Sequence, residues 1–512
     1  MSTKEHDAWL QSVLGINRAK YAKAAAPTAR AGATPSAQAA PAAPSGAAAP
    51  AGVAAVITAI NDTLTELDAQ SKRLKDDGIP AQPLDAQIAK LQSRLAALGK
   101  STTVTKQLTA LRTDAAETLK AVKGDADRQA DSLSAGSDKA IQDLRDAAAA
   151  QIDRLDAGNP KKADLAQKLK DLDAQIKAAQ TATDAAKQAA ARQAADKAAQ
   201  DLIQAAADAG GSSKEAKKAV QQAYKKALEE KYGITIGKRD NFVTEHTQFD
   251  KVYKMFEQVP IAHVVHEKLK DLSFDKTLAV GKDKHGIGRY SGAGIQLGDY
   301  YDERNWPYTN PNTGKAEKPN GFSISVLHEL GHSVDKRWGI MEKYEGEKGC
   351  GGWNWHNAKG LAQDLAADFI RGAGADAMPK AAVTEVVHTA LATGAAGTAP
   401  DGTDPAAFAK LQAYLAPWIK VRNATAYTVT HAFGERTYFA RGGESWMSYL
   451  TSAHAAMRVT DYQWSAPAEW FAELYAICWY KGEAAPAGVH EGVRAYMPQK
   501  GGGGPGAPSA PG

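Results

Sequence analysis

Two histidines stand four residues apart in the segment SVLHELGHSVDKRW, and a glutamate directly follows the first of them. Residues at positions i and i+4 of a helix project from one face, a single turn apart, so His328 and His332 can share one metal ion. Glu329 lies beside that face, where a carboxylate can accept the proton of a metal-bound water. The spacing therefore predicts a helix that carries two metal ligands and a general base.

A catalytic zinc site needs a third protein ligand, and the segment DYQWSAPAEWFAELYAICWYKG offers two candidates. Glu469 and Glu473 lie one turn apart on a predicted helix whose other residues are mostly aromatic or aliphatic. An acid on such a helix is costly to bury unless it is paired or binds a metal, so one of the two is a ligand candidate. Four histidines between the two motifs are alternative third ligands: His356, His388, His431 and His454.

Capping and stop residues are expected to bound and position these two helices. Asn320 or Ser323 can cap the first helix, and Gly331 within it leaves room for a neighbouring strand. Ser465 suits the N-cap of the second helix, and Gly482 suits its end.

Aromatic residues separate a compact C-terminal domain from the rest of the chain. All 10 phenylalanines, and all of the 10 tryptophans except Trp9, follow Asn241, and aromatic side chains dominate globular cores. We therefore predict one compact domain over residues 233–498. The Gly- and Pro-rich residues 499–512 are predicted to be a disordered tail.

The N-terminal region has the composition and periodicity of linkers and helices. Residues 24–55 are nearly all Ala, Pro, Gly and Ser, which predicts an Ala/Pro-rich linker, and residues 1–23 can form one short helix ahead of it. Over residues 56–232 apolar positions recur at alternating steps of three and four, which predicts an α-helical stalk built as a coiled coil or helical hairpins. Such a stalk can act as a spacer, self-associate or bind a partner, including a delivery machinery. The series begins with Ile57, Ile60, Leu64 and Leu67.

Charge and hydropathy exclude several classes of partner. The formal net charge is only +4, so nothing indicates a nucleic-acid partner, and no apolar run approaches the roughly 20 residues of a membrane span. The N-terminus lacks the features of a secretory signal, so we expect a cytoplasmic protein unless a signal-independent system exports it. The two cysteines, Cys350 and Cys478, leave a single bridge open.

The motifs HELGHSVD and Tyr462 followed by EWFAELY resemble the catalytic domain of anthrax lethal factor and related bacterial toxins and secreted metallopeptidases. The resemblance implies an α+β fold of the zincin type with one catalytic Zn²⁺. It also implies residue roles: His328, His332 and Glu469 as zinc ligands, Glu329 as general base, Tyr462 as the hydroxyl that stabilises the oxyanion, and Asp335 as a residue that packs behind the ligands. The family pattern assigns no role to Glu473, which we expect to lie behind the ligands as well. The stretch from His332 to Glu469 is longer than in this family, which implies an insertion at about 340–460.

The segment HGIGRYSGAGIQLGDYY alternates small and apolar residues about 30 positions before the metal helix. Zinc peptidases of this shape commonly have a strand there whose edge pairs with an extended peptide. We therefore expect Arg289 and Tyr290 to contact the substrate, with a plain sheet strand as the alternative.

Together these features predict a zinc-dependent metalloendopeptidase that cleaves a protein or peptide, in a chain organised like a delivered effector or toxin. Two alternatives remain open from the sequence. In one, the protein is a helical adaptor whose zincin module does not cleave; in the other, the same site hydrolyses another amide, such as a peptidoglycan cross-link.

Overall fold

The structure is a computed structural model of the 512-residue chain. The predicted N-terminal helix, the Ala/Pro-rich linker, the tail beyond Gln499 and part of the predicted stalk lie outside the described residues. Described are residues 60–69, 88–89, 91–93, 133–183, 185–211, 213–237, 248–275, 288–292, 294–298, 307–373 and 378–499.

The chain divides into two compact units. The first unit comprises Met1–Asp138 together with Pro260–Ala262, and the second comprises Lys139–Val259 together with His263–Gly512. The division therefore falls within the region that the sequence assigns to the stalk. The first unit has helical residues at 60–69, 88–89, 91–93 and 133–138, with buried side chains at Ile60, Leu64, Leu67, Ile88 and Leu91.

The second unit begins with four helical segments, of which α1 and α2 pack as a hairpin. On α1 the buried positions Leu165, Leu172 and Ala179 recur every seven residues, so one stripe of the helix faces its partner. The α3 helix starts at a Ser213 cap and ends at Gly233, which adopts the left-handed conformation that suits glycine. The segments are residues 139–154, α1 (Lys162–Thr181), α2 (Ala185–Ala209) and α3 (Lys214–Tyr232).

A buried ionic cluster ties α2 and α3 to the next helix, α4 (Phe249–Glu257). The Lys231 Nζ atom lies 2.5 Å from Asp196 Oδ2 and 2.7 Å from Glu257 Oε1. The Tyr253 hydroxyl donates to Asp196 Oδ2 at 2.9 Å. Burial opposes the charge of Lys231, but the two carboxylates outweigh burial and raise its pKa to about 12. Both acids therefore have a permanent cation between them.

A four-stranded sheet of order β1-β2-β4-β3 follows α3 in the fold. The first three strands in this order are parallel, and β3 joins β4 as an antiparallel edge strand. Helix α4 packs against the later helix α5 (Gly321–Trp338), and α5 also packs on β3 and β4. The strands are β1 (Thr235–Ile236), β2 (Asp271–Asp275), β3 (Gly288–Ser291) and β4 (Gly294–Gly298).

Helix α5 (Gly321–Trp338) packs extensively against α11 (Pro467–Lys481). A Cβ atom on Gly331 would lie 3.0 Å from Ala472 Cα, so this glycine lets the two helices approach. The expectation that Gly331 faces a strand is therefore wrong, because the neighbour is a helix. Between β4 and α5 lies a short hairpin of β5 (Tyr308–Thr309) and β6 (Ala316–Glu317).

Residues 340–460 form helices and a second, antiparallel sheet of order β7-β10-β9-β8. Trp418 and Trp446 are fully buried and pack at the centre of this region with ring centroids 5.6 Å apart. Its elements are α6 (Ile340–Tyr344), β7 (Asn354–Asn357), α7 (Ala358–Ala373), α8 (Lys380–Thr393), α9 (Pro405–Arg422), β8 (His431–Phe433), β9 (Arg436–Ala440), β10 (Ser445–Leu450) and α10 (Thr451–Met457). A final short helix, α12 (Glu491–Arg494), follows α11.

The combination of separate helices and mostly antiparallel sheets confirms the predicted α+β class. Cys350 and Cys478 are both free and buried, so the two do not form a bridge. None of the helices in the described part of the chain is long and apolar enough to cross a membrane.

Candidate metal centre

Helix α5 positions the first two candidate ligands. The Asn320 side chain accepts a hydrogen bond from the Ser323 amide at 3.1 Å and caps the helix, which confirms one of the two predicted caps. The helix is buried along nearly its whole length, including His328 and Glu329, and ends at Gly339 in the left-handed conformation. Its rigid, covered setting fixes the directions in which the histidines project.

Helix α11 brings Glu469 to these histidines. The Oε2 atom of Glu469 lies 3.1 Å from His328 Nε2 and 3.2 Å from His332 Nε2, and the two imidazole nitrogens are 3.1 Å apart. Oε2 is buried and has no aligned hydrogen-bond donor, although two nitrogens lie so close to it. The three ligand atoms therefore form a nearly equilateral triangle without satisfying Oε2 among themselves.

This triangle fits a zinc ion. For Zn–N and Zn–O distances of about 2.0–2.2 Å, tetrahedral ligands lie about 3.3 Å from each other, close to the separations here. Two imidazoles and one carboxylate are also a known ligand set of catalytic zinc. Within the described ranges, no second group of three His, Cys, Asp or Glu side chains has this proximity.

The alternative third ligands lie in other surroundings. His356 bonds to the Ser448 hydroxyl at 2.8 Å, and His388 lies 3.6 Å from Glu444. His431 packs on the ring of Trp418, and His454 stacks on Tyr449. Each thus has a neighbour within the 340–460 region, and the cluster with His328 and His332 contains Glu469 instead.

Glu473 lies behind His328 rather than in the triangle. Its Oε1 atom is 3.6 Å from His328 Nδ1, the nitrogen that does not face Glu469. Burial raises the pKa of Glu473 to about 6, although a charged His328 would lower it. A carboxylate on the second imidazole nitrogen fixes the ring orientation of a metal-binding histidine.

The acidic surroundings favour a cation in the centre. Burial lowers the pKa of His328, but Glu469, Glu329 and Glu473 outweigh burial and raise it to about 9. The pKa of Glu469 falls, because the two histidines outweigh the effect of its burial. Without a metal, a proton on His328 would therefore balance part of the carboxylate charge.

The Glu329 side chain of α5 lies against strand β3. A Cβ atom on Gly288 would lie 2.6 Å from Glu329 Oε1, so only glycine allows the strand this close. Burial raises the pKa of Glu329, while the histidines and a hydrogen bond from the Tyr290 amide lower it. The net rise is the direction that a general base near neutral pH requires.

Tyr462 lies beside the triangle, in a short 3-10 helix at Tyr462–Ser465 that precedes α11. Its ring centroid is 6.1 Å from that of His328, and 37 % of the residue is exposed. Burial of the hydroxyl and the neighbouring Glu469 raise the pKa of Tyr462, so the hydroxyl keeps its proton.

The N-cap of α11 is Ala466, so the predicted Ser465 cap is wrong; the predicted stop at Gly482 is confirmed.

The remaining predicted residues have different positions. Asp335 accepts backbone hydrogen bonds from Met341 at 2.7 Å and from Ile340, and thus shapes the end of α5. Arg289 is exposed on β3. The Tyr290 hydroxyl donates to the Lys268 carbonyl at 2.9 Å, so this residue approaches Glu329 through its main chain.

Sequence reasoning missed Tyr427, which comes from the 340–460 region. Its ring meets that of Tyr462 edge to face, with centroids 5.6 Å apart. Trp355, Tyr427 and Tyr462 are the large hydrophobic residues that the described chain leaves most exposed. Arg441 lies over the Trp355 ring and donates to the Ser465 carbonyl at 3.1 Å, so Trp355 also lies near the start of α11. No spacing or motif in the sequence distinguishes Tyr427 from other exposed aromatic residues, so its contact with Tyr462 could not be predicted.

No protein-family model, curated protein or solved structure matches this chain. The chemistry of the site must therefore be argued from its own residues. Those residues provide a three-ligand cluster, a buried carboxylate beside it and a protonated phenol next to it.

Proposed function

We propose that the protein is a zinc-dependent metalloendopeptidase whose zinc ligands are His328, His332 and Glu469. The observation that carries this proposal is the triangle of ligand atoms 3.1–3.2 Å apart, made by two helices far apart in sequence. The orphaned Oε2 atom of Glu469 supports a cation at its centre, since a buried carboxylate oxygen without a donor is otherwise costly.

A zinc ion held there would polarise a substrate carbonyl and lower the pKa of a bound water. Glu329 accepts a proton from the attacking water as the water oxygen bonds to the scissile carbonyl carbon. The same carboxyl group returns this proton to the amide nitrogen as the C–N bond breaks. Its raised pKa supports both transfers near neutral pH, because the carboxylate can hold the proton and then release it.

Tyr462 supplies a hydrogen bond to the oxyanion that develops on the carbonyl oxygen. Its hydroxyl remains protonated and its ring lies against that of His328, so the donor is already close to the ligands before substrate binds. Such a preorganised donor contributes about 3 kcal/mol of transition-state stabilisation in other hydrolases.

The surroundings support an extended peptide as substrate. Among the described strands, β3 lies at the edge of its sheet, and its Gly288 lies against Glu329, so a peptide that adds to this edge would pass the general base. The exposed rings of Tyr427, Tyr462 and Trp355 offer apolar contacts near the same site. A role as a delivered effector or toxin is the wider context that the resemblance to anthrax lethal factor implies.

Digestion of a peptide library by the zinc-loaded protein tests the proposal. We expect endoproteolytic cleavage that Glu329→Gln lowers by on the order of 10²-fold or more, with zinc content unchanged. Exposed Glu342→Gln on α6 is the matched control and should retain full activity. Undiminished cleavage by Glu329→Gln would contradict the role of Glu329.

The same digest, run in parallel on purified peptidoglycan, distinguishes the two alternatives. A non-cleaving adaptor would bind zinc yet leave every peptide intact. A hydrolase of another amide would leave the library intact but release fragments from purified peptidoglycan. Either result would overturn the endopeptidase assignment.

A further inference from the structure

We infer that Tyr427 is a positioning residue that holds the Tyr462 phenol beside the metal ligands, so that the 340–460 region completes the active site. This inference rests on the proposed function. It begins from the edge-to-face contact between the two tyrosine rings, whose planes are inclined by 74°.

The Tyr462 ring needs a support outside its own helix. The main chain next to it is fixed, because the buried Gln463 side chain accepts a hydrogen bond from the Val459 amide at 2.7 Å. The ring itself is more than one-third exposed, and the aromatic contacts described for it are with His328 and Tyr427. The Tyr462 hydroxyl also bonds to the Glu469 carboxylate, and Tyr427 is the contact that the 340–460 region contributes to the ring.

The loop that carries Tyr427 is anchored at its base. Arg422, at the end of α9, donates from Nε to the Ala392 carbonyl at 3.1 Å and from Nη1 to the Arg441 carbonyl at 2.9 Å. Asn423 donates to the Gly394 carbonyl at 2.8 Å. These three bonds connect the loop to α8 and to the end of β9, so it can act as a rigid support.

A turn then presents Tyr427 at the tip of this loop. The Val429 amide donates to the Ala426 carbonyl at 3.1 Å, which places Tyr427 within the turn. Burial and the charges of Asp461, Glu473 and Glu469 raise the pKa of Tyr427, consistent with a hydroxyl near the acidic centre.

The kinetic test uses Tyr427→Ala, Tyr427→Phe and a double-mutant cycle with Tyr462→Phe. An edge-to-face pair predicts that Tyr427→Ala lowers kcat about three- to tenfold with little change in KM, and that Tyr427→Phe restores most of it. In the Tyr462→Phe background the alanine change should add less than about twofold, because the hydroxyl that it positions is already gone. Tyr414→Ala, a half-buried tyrosine that bonds to Asp368, is the matched control for simple truncation.

A second readout needs no turnover. In metal-free protein labelled with 3-fluorotyrosine, the ¹⁹F resonance of position 462 should move in Tyr427→Ala and stay close to its place in Tyr414→Ala. An unmoved resonance, an effect on KM alone, or an equal loss of kcat in the Tyr462→Phe background would overturn the inference. If no peptide is cleaved at all, the proposed function fails, while the resonance still decides whether Tyr427 positions Tyr462.

Discussion

Two clusters in the second unit bury carboxylates, and they balance the negative charge differently. Around Lys231, both Asp196 and Glu257 contact a permanent side-chain cation. Around His328, the carboxylate Oε2 of Glu469 lies between two imidazoles and has no aligned donor. In the first cluster Lys231 already balances the carboxylate charge. In the second cluster this charge must be balanced by protons or by a bound cation.

This difference distinguishes a structural ionic cluster from a candidate metal site. Removing one partner of a buried ion pair strongly destabilises a protein, because the other charge is then left uncompensated. In the cluster around His328, nearby carboxylates raise the pKa of the imidazole instead, so this cluster has the negative charge that favours a bound cation. Variants in the two clusters should therefore change different measured quantities.

The largest expected effect on stability belongs to Lys231→Met. It leaves the buried carboxylate of Asp196 and the partly buried carboxylate of Glu257 without their cation, and we expect the free energy of unfolding to fall by about 3–5 kcal/mol in urea titrations. Zinc content, measured where the variant is still folded, should not change. Lys226→Met on the same helix is the control: Lys226 is 56 % exposed and pairs with Asp143, so its loss should cost less than about 1 kcal/mol. Equal effects of the two variants would remove the contrast between the clusters.

Tyr462→Phe should affect turnover and leave the fold intact. Loss of one oxyanion donor is expected to lower kcat by roughly 10²-fold, or about 3 kcal/mol, with little change in KM, zinc content or Tm. Steady-state kinetics on a cleaved peptide measure this change. Tyr414→Phe removes a hydroxyl away from the site and should stay within about twofold of the wild type. Normal cleavage by Tyr462→Phe would show that the phenol is only a packing residue.

Gly331→Ala tests the close approach of the two ligand-bearing helices. The added methyl group would lie 3.0 Å from Ala472 Cα and 3.3 Å from Tyr475 Cβ, so we expect a loss of about 1–3 kcal/mol in unfolding free energy and weaker zinc binding. Gly372→Ala, at an exposed position of α7 with open space around it, should instead stabilise by about 0.5–1 kcal/mol. A stable Gly331→Ala variant with full zinc affinity would argue against a rigid helix pair.

Glu473→Gln is expected to have the smallest effect. The amide keeps the size of the side chain but removes the charge beside His328 Nδ1, so zinc affinity should fall about tenfold in a chelator competition. A loss of all bound zinc would instead make Glu473 a direct ligand.

The sequence identified the parts of the site that depend on local spacing. His328, Glu329 and His332 follow from one helical turn, and the helix limits at Asn320 and Gly482 follow from capping chemistry. Periodicity also showed that α1 is a helix with one buried stripe, as Leu165 and Leu172 demonstrate. These features are encoded within a few neighbouring residues.

Features that depend on how helices and loops pack against each other could not be predicted from local spacing. Glu469 and Glu473 share one face of α11, and only the packing of α11 on α5 places one against both histidines and the other behind His328. Gly331 was expected to face a strand because a glycine indicates close approach without naming the neighbour. Tyr427 reaches Tyr462 from an irregular loop, where no periodic pattern exists.

Metal analysis of the purified protein tests the central claim most directly. We expect about one zinc per chain in the wild type and a strong loss of zinc in each of His328→Ala, His332→Ala and Glu469→Ala. Lys226→Met should retain the full content. A wild-type protein that binds no zinc when the ion is supplied, or a Glu469→Ala variant with undiminished zinc, would contradict the three-ligand centre.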